Sequence, residues 1–321
     1  MRVALLDDYQ GVAMKMADWS RLKGRAEFVA FPRHIPDIDT LAHELESFDC
    51  IMLMRERTKF PRALIERLPK LKLLITAAMW NASVDSDAAT EHGVQFSGTR
   101  DLSHAAAELA LGMMIGLVRH LPAEDHAMRQ GKWQTTVGLS LHGKTLGIVG
   151  LGILGAQMAG FAKMLGMRAI AWSENLTPER AAEAGAIHVS KEQLFAEADI
   201  ISVHLKLAPR TRGLIGAGDL ALMKPTAYII NTARGPIIDE RSLLTVLRDR
   251  RIAGAALDVY DVEPLPVNHP FRKLDNVMLV PHLGYVTEEN YRLIYSDTLE
   301  DVEAFLEGRL VRPLNTPTPR A

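Results

Sequence analysis

The sequence predicts an α/β fold built on doubly wound parallel sheets, and three observations carry that prediction. Short apolar runs alternate with longer helical patterns almost from end to end. A glycine-rich turn, "GIVGLGILGAQ", follows one apolar run and opens a helical stretch. Several runs also stop abruptly at a charged or titratable residue, as in "NVMLVPHLGY". In open parallel sheets ligands gather just beyond such strand ends.

Taken in order, the expected strands begin with Val3–Leu6, Cys50–Met54, Leu73–Thr76 and Val94–Ser97. Later come Leu146–Val149, Ala169–Trp172, Ile200–Val203, Ala227–Asn231, Ala253–Leu257 and Val277–Val280. Between the two sets lies an apolar-periodic segment, Ser103–Leu121, read as one connecting helix. Ser103 is its candidate N-cap, and the proline of "HLP" marks its end. Leu154–Leu165, Ser242–Arg248 and Glu288–Leu306 also carry helical patterns, while Pro313–Pro319 reads as a loose tail. A length of 321 residues suggests two domains, with a helical crossing near residue 100.

Composition narrows the classes of function. Hydrophobic residues make up 48% and charged residues 24%, which provides ample core for a soluble globular protein. A net charge of -2 gives no electrostatic case for nucleic acid or an anionic membrane as partner. Cys50 is the single cysteine, so neither an internal disulfide nor a CxxC metal site can form. Asp7 and Asp8 interrupt the first apolar run too early for a signal peptide, and no apolar run is long enough to span a bilayer. These features suggest a cytoplasmic protein.

The glycine turn places Gly150, Gly152 and Gly155 in GxGxxG order between a strand and a helix. The first glycine allows the tight turn, the second lets backbone approach a pyrophosphate, and the third brings helix close to strand. Free N–H groups of Ile153 and Leu154 at the helix start would hold the anion. Dinucleotide binding is therefore expected. The acid that usually follows the next strand and meets the adenosine ribose is replaced by Ser173, with Glu174 beside it. Glu174 either supplies the missing carboxylate or is a solvated loop charge. No Arg or Lys lies between Ser173 and Leu176, although Arg168 and Arg180 are near in sequence. The pattern favours NAD, with NADP as the alternative.

Two further strands end in the same half of the chain. One runs into Asn231-Thr232-Ala233-Arg234, and another into Asp258 and then Glu263-Pro264. Singly, Arg234 could be a surface cation, Glu263 a turn residue and His282 a cap. Together they bring a cation, an acid and a titratable base to one set of strand ends. Oxidising a 2-hydroxy acid requires a base to take the hydroxyl proton, a role open to His282. Glu263 would orient the imidazole and stabilise its charged form, and Arg234 would fork onto the substrate carboxylate. Asp258 could hold a nicotinamide carboxamide.

The segments "GIVGLGILG", "MKPTAYIINTARGPIIDE", "AGAALDVYDVEPLP" and "PHLGYVTEENY" stand in the order and spacing of the D-isomer-specific 2-hydroxyacid dehydrogenases, which the chain resembles over essentially its whole length. The resemblance implies a Rossmann-type coenzyme domain, residues 101–285, inserted in a flavodoxin-like substrate domain of residues 1–100 and 286–321. It implies Arg234, Glu263 and His282 as the catalytic trio, with Thr232, Ala233 and Gly284 among the coenzyme contacts. It also implies a homodimer joined through coenzyme domains, with Trp133 as a residue that either reaches the partner's pocket or packs in the interface.

Three departures from the family pattern stand out. Ser173 takes the place of the usual acid. The substrate loop "ITAAMWNASVD" carries Ala78, Met79 and Trp80 where slimmer residues are usual, so Trp80 either reshapes the pocket or anchors the loop. Lys206 and Ala208 alter the cofactor loop "VHLKLAPRT", in which His204 reads as structural. Arg55 resembles a substrate-domain position that faces the cleft in relatives, where it either touches substrate or does not. The implied activity is a dehydrogenase or reductase acting on a small 2-hydroxy or 2-oxo acid, such as glyoxylate or hydroxypyruvate. A coenzyme-sensing corepressor of the same fold, or a formate-type dehydrogenase, would be the rival. Formate-type members carry glutamine where Glu263 stands.

Overall fold

The computed structural model describes residues 1–316. It divides into two compact units: Met1–Leu102 with the chain from Thr287 onward, and Ser103–Val286. These junctions fall slightly beyond those expected at residues 100 and 286. Leu102 still belongs to the first unit because its N–H is held by Asn290 Oδ1 at 2.8 Å.

The first unit is a five-stranded parallel sheet. Its strands are β1 (Arg2–Leu5), β2 (Glu27–Ala30), β3 (Cys50–Leu53), β4 (Leu73–Thr76) and β5 (Gln95–Gly98), in the order β2-β1-β3-β4-β5. That is the flavodoxin-like order, which reverses between β1 and β3. β3 and β4 are buried along their whole length, as continuous apolar runs require when helices cover both faces. The helix Glu288–Leu306 returns to this unit, and Thr287 caps it by accepting from the Asn290 N–H.

The segment expected as a loose tail is ordered where it is described. Pro313 bridges Ser97, the Leu314 N–H donates to Phe96 O at 2.7 Å, and Asn315 Oδ1 accepts from the Phe96 N–H at 2.8 Å. Residues 313–315 thus cover the outer edge of β5. Residues 317–319 of that expectation lie outside the described residues.

The second unit is a seven-stranded parallel sheet. It comprises β6 (Thr145–Val149), β7 (Arg168–Trp172), β8 (Ile187–His188), β9 (Ile200–Val203), β10 (Tyr228–Asn231), β11 (Gly254–Leu257) and β12 (Val277–Leu279). The order β12-β11-β10-β9-β6-β7-β8 is the Rossmann-type arrangement, reversing between β6 and β9. Neighbouring residues of one strand enter opposite cores. Val149, Ile201 and Ile229 pack on one face, while Ile148, Ile200 and Ile230 pack on the other.

The expected connecting helix forms and ends ahead of the proline, and a second helix that the sequence reading did not include follows it. His104–Val118 is the first, His120 adopts a left-handed φ of 54°, and Leu121–Arg129 follows with Pro122 in its first turn. The proline therefore opens the second helix, where its missing N–H costs nothing. Ser103 precedes the first helix, but its side chain makes no capping bond. β2 and β8, absent from the sequence reading, are short edge strands with partly exposed residues. Among the described residues no helix is long and apolar enough to cross a membrane.

Candidate active site

The parallel ladder extends past the formal ends of three adjacent strands. Beyond β10 and β11 the Asp258 N–H donates to Asn231 O at 3.0 Å, and the His282 N–H donates to Asp258 O at 2.9 Å. Asn231, Asp258 and His282 are thus successive rungs at the carboxyl edge of the second unit's sheet. His282 takes a left-handed φ of 55°, a conformation that a residue with a Cβ adopts only when its surroundings enforce it.

Those surroundings are polar and specific. Glu263 Oε2 lies 2.5 Å from His282 Nδ1, and Glu263 Oε1 accepts from the Tyr260 N–H at 2.9 Å. An ionised carboxylate can only accept, so Nδ1 carries the proton and Nε2 is left for a reaction partner. The Tyr285 ring meets the imidazole edge-on, with centroids 5.5 Å apart. Asp258 is fully buried, and its two oxygens accept from the N–H groups of Leu283 at 2.5 Å and Gly284 at 3.0 Å. Burial pushes its carboxyl up to about 6, opposed by His282 and the two amides. The visible work of Asp258 is thus to gather the turn that carries His282. Gly284 permits this closeness, since a Cβ there would stand 3.2 Å from Asp258 Oδ2.

Arg234 leaves the end of β10 through a turn shaped by Asn231. Asn231 Oδ1 accepts from the Ala233 N–H, and its Nδ2 donates to Arg234 O, both at 3.0 Å. Arg234 Nη1 donates to Ala233 O at 2.7 Å. Next in sequence, Gly235 presses on another loop, for a Cβ there would lie 2.1 Å from the carbonyl carbon of Tyr260.

The glycine turn sits at the end of β6, where the strand order reverses. Gly150 has φ 99°, and a Cβ on it would meet His204 O at 2.8 Å. A Cβ on Gly155 would lie 2.2 Å from Gly150 O, so helix Ile153–Met164 packs directly on the turn. At Gly152 a Cβ would meet nothing within 4 Å, and the N–H groups of Ile153 and Leu154 have no partner among the described residues. Open space facing free first-turn amides fits a phosphate-bearing ligand. Thr232 adds a buried Oγ1 with no hydrogen-bond partner among the described residues. The residues present therefore fit a dinucleotide.

Ser173 and Glu174 follow β7 directly, and Trp172 O accepts from the Gly150 N–H at 2.9 Å, which fixes this strand end beside the turn. Arg168 does not belong there. It begins β7, at the opposite end of the strand, and pairs with Glu197 at 2.9 Å. His204 is half-buried and its backbone packs against the glycine turn, with Nε2 2.7 Å from Ser202 Oγ, and burial of the ring lowers it to about 4. Among the described residues no group of His, Cys, Asp and Glu is arranged to hold a metal ion.

In the first unit, Arg55 follows β3 with φ 56°, and its guanidinium lies 3.4 Å from Asp101 and 3.9 Å from Glu56. Ala78 has φ 82°, and its N–H is taken by Thr99 Oγ1 at 3.1 Å. The backbone N–H groups of Met79 and Trp80 have no partner among the described residues, and both side chains are about half exposed. Gly98 makes room for this loop, because a Cβ there would stand 2.7 Å from Ala78 O. Asn81 Nδ2 donates to Arg55 O at 2.7 Å and so ties the loops after β3 and β4 together.

Sequence reasoning missed Asn231 and Tyr260 as residues that hold the site. Asn231 stood in the quoted strand end as a polar side chain closing an apolar run, which was a usable signal. Tyr260 had none, because "DVYDVEP" reads as a turn until the fold shows what its hydroxyl reaches.

Residues 111–284 match the family model described as D-isomer specific 2-hydroxyacid dehydrogenase, NAD binding domain. A D-3-phosphoglycerate dehydrogenase of Synechocystis sp. is 39% identical over 85% of the chain and 50% of its own length. A glyoxylate reductase of Aeropyrum pernix is 35% identical over 86% of the chain and 85% of its own length. The chain spans about half the length of the curated phosphoglycerate dehydrogenases it matches. Among solved structures, a phosphoglycerate oxidoreductase from Vibrio cholerae o395 superposes with a TM-score of 0.92 at 33% identity, covering 96% of this chain and 99% of that one.

Proposed function

Because the chain belongs to the D-isomer-specific 2-hydroxyacid dehydrogenase family, we propose that it interconverts a small D-2-hydroxy acid and its 2-oxo acid with a nicotinamide coenzyme, and that His282 is the acid and base. The observation that carries this reading is the 2.5 Å contact between Glu263 and His282 Nδ1 at the end of β12.

The coenzyme, when bound, gives or receives the hydride. Oxidation of the substrate has His282 Nε2 take the hydroxyl proton, and reduction has the same atom return one to the 2-oxo oxygen. Glu263 keeps the ring oriented and stabilises it when both nitrogens are protonated. Arg234 grips the substrate carboxylate in a two-pronged contact and draws charge towards the oxygen that changes.

The second unit is the coenzyme domain in this reading, and the first is the substrate domain. Gly150, Gly152, Ile153, Leu154 and Gly155 hold the pyrophosphate. Ser173 and Glu174 take the ribose, and the absence of a cation between Ser173 and Leu176 supports NAD over NADP. Thr232, Ala233, Asp258 and Gly284 line the nicotinamide side, supported by the unpartnered Thr232 hydroxyl. Arg55, Ala78, Met79 and Trp80 contact the substrate, supported by the free amides of Met79 and Trp80. A homodimer formed through the coenzyme domains is supported by the exposed Leu121, Met128, Trp133 and Val137. A reducing cytoplasm suits the lone, buried Cys50.

NADH and NADPH oxidation measured against 2-oxo acids of graded size, from glyoxylate and hydroxypyruvate upward, tests the proposal. Turnover of at least one acid, faster with NADH, is the expected result. Coenzyme binding with no turnover of any acid would overturn it and leave a nucleotide-sensing protein.

A further inference from the structure

We infer that Tyr260 is a positioning residue of the proton-transfer site, clamping the ends of β11 and β12 through its hydroxyl while its backbone N–H holds Glu263. The inference rests on the reading of His282 as acid and base. Four contacts carry it. The Tyr260 N–H donates to Glu263 Oε1 at 2.9 Å, on the carboxylate whose other oxygen meets His282. The Tyr260 hydroxyl lies 3.0 Å from Leu257 O and 2.9 Å from Val280 O. The backbone of Tyr260 also packs against Gly235, the residue after Arg234.

The location of the hydroxyl gives it this role. Leu257 and Val280 are the residues where β11 and β12 hand over to the catalytic turns. The Val280 N–H already donates to Leu257 O at 2.9 Å, and the His282 N–H donates to Asp258 O at 2.9 Å and lies 3.2 Å from Val280 O. The Tyr260 phenol adds a side-chain donor to Leu257 O and Val280 O on top of these backbone bonds. Its single proton is shared between two carbonyls, one leading into Asp258 and the other into Pro281 and His282. Tyr260 is only 7% exposed, and burial together with Asp258 and Glu263 pushes its hydroxyl above the ordinary range, which keeps it a donor throughout the working pH range. One residue therefore sets the spacing of the two strand ends and the orientation of the carboxylate between them.

The test compares Tyr260→Phe with Glu263→Gln and His282→Gln in the NADH-bound enzyme. Phenylalanine keeps the ring in its core position and removes only the hydroxyl. Two readouts apply: kcat and KM for the best 2-oxo acid of the panel, and the downfield proton resonance of the imidazole N–H bonded to Glu263. Tyr260→Phe is expected to lower kcat by ~10-fold, in line with small misplacements of reacting groups. KM and NADH affinity should stay within about twofold of wild type. The resonance should broaden or move upfield, and it should be absent in His282→Gln. A Tyr260→Phe variant that melts earlier yet keeps wild-type kcat and an unmoved resonance would overturn the positioning role and leave a plain structural brace. Full turnover in His282→Gln would instead overturn the acid-base reading, while the resonance would still decide whether Tyr260 positions the ring.

Discussion

The Glu263 carboxylate meets His282 at Nδ1, 2.5 Å away, so the ring presents Nε2 as its open nitrogen. Replacing His282 with Ala is expected to lower turnover by ~100-fold or more, the usual scale of a lost general acid-base. NADH affinity, followed by fluorescence titration, should be retained. Glu263→Gln should also lose turnover, by less, because an amide can still orient the ring but cannot stabilise its charged form. Wild-type turnover in the alanine variant would end the assignment.

The glycine turn separates two effects that usually travel together. A methyl at Gly155 would collide with Gly150 O at 2.2 Å, whereas a methyl at Gly152 meets no protein atom within 4 Å. Gly155→Ala should therefore lower the melting temperature and NADH affinity together. Gly152→Ala should leave the melting temperature unchanged and weaken NADH binding by ~10-fold or more, since it intrudes only on the approaching pyrophosphate. Calorimetry of both variants, with and without NADH, checks the contrast. Equal melting curves for the two would contradict it.

In the proposed reading, coenzyme choice turns on Ser173, which follows β7 beside the glycine turn. Ser173→Asp should abolish any NADPH-dependent rate by repelling the 2'-phosphate while leaving the NADH rate within about twofold. Steady-state rates with the two coenzymes give the answer. A surviving NADPH preference would move the ribose contact elsewhere.

Asp258 couples the site to pH through stability. Its carboxyl titrates at about 6 in the fold against an ordinary 3.8, because burial favours the neutral form. A raised acid contributes stability that is fully present below 3.8 and is lost as pH rises through about 6. Asp258→Asn removes this dependence. The advantage of wild type over the variant should therefore shrink by about 2 kcal/mol between pH 4.5 and 7.5, from a shift of ~1.36 kcal/mol per pH unit. Urea unfolding at the two pH values measures it, and a gap that widens with pH would refute the assignment.

The strands of both sheets were legible because parallel strands buried on two faces must be unbroken apolar runs, as in Ile200–Val203 and Leu73–Thr76. The edge strands β2 and β8 lack that burial and left no comparable run. His282, Glu263 and Arg234 could be read as strand-end residues because charge at the mouth of an apolar run is conspicuous. The partnerships could not be read. That Asp258 spends both oxygens on the amides of Leu283 and Gly284, and that the Ala78 amide is committed to Thr99, depends on turns whose geometry emerges only in three dimensions. The helix Leu121–Arg129 went unread for a related reason. Proline stops one helix and starts another equally well, and only the left-handed His120 tells the two apart.

The strip from Arg312 to Asn315 along β5 has a consequence for biosynthesis. The first unit draws on both ends of the chain, whereas the second is one uninterrupted stretch, Ser103–Val286. On the ribosome the second unit is therefore complete while the first still lacks its long helix and its border. β5 waits, with an uncovered margin open to other chains, until Pro313–Asn315 emerge. Stalling translation before residue 312 should yield nascent chains whose second unit resists protease and whose first unit does not.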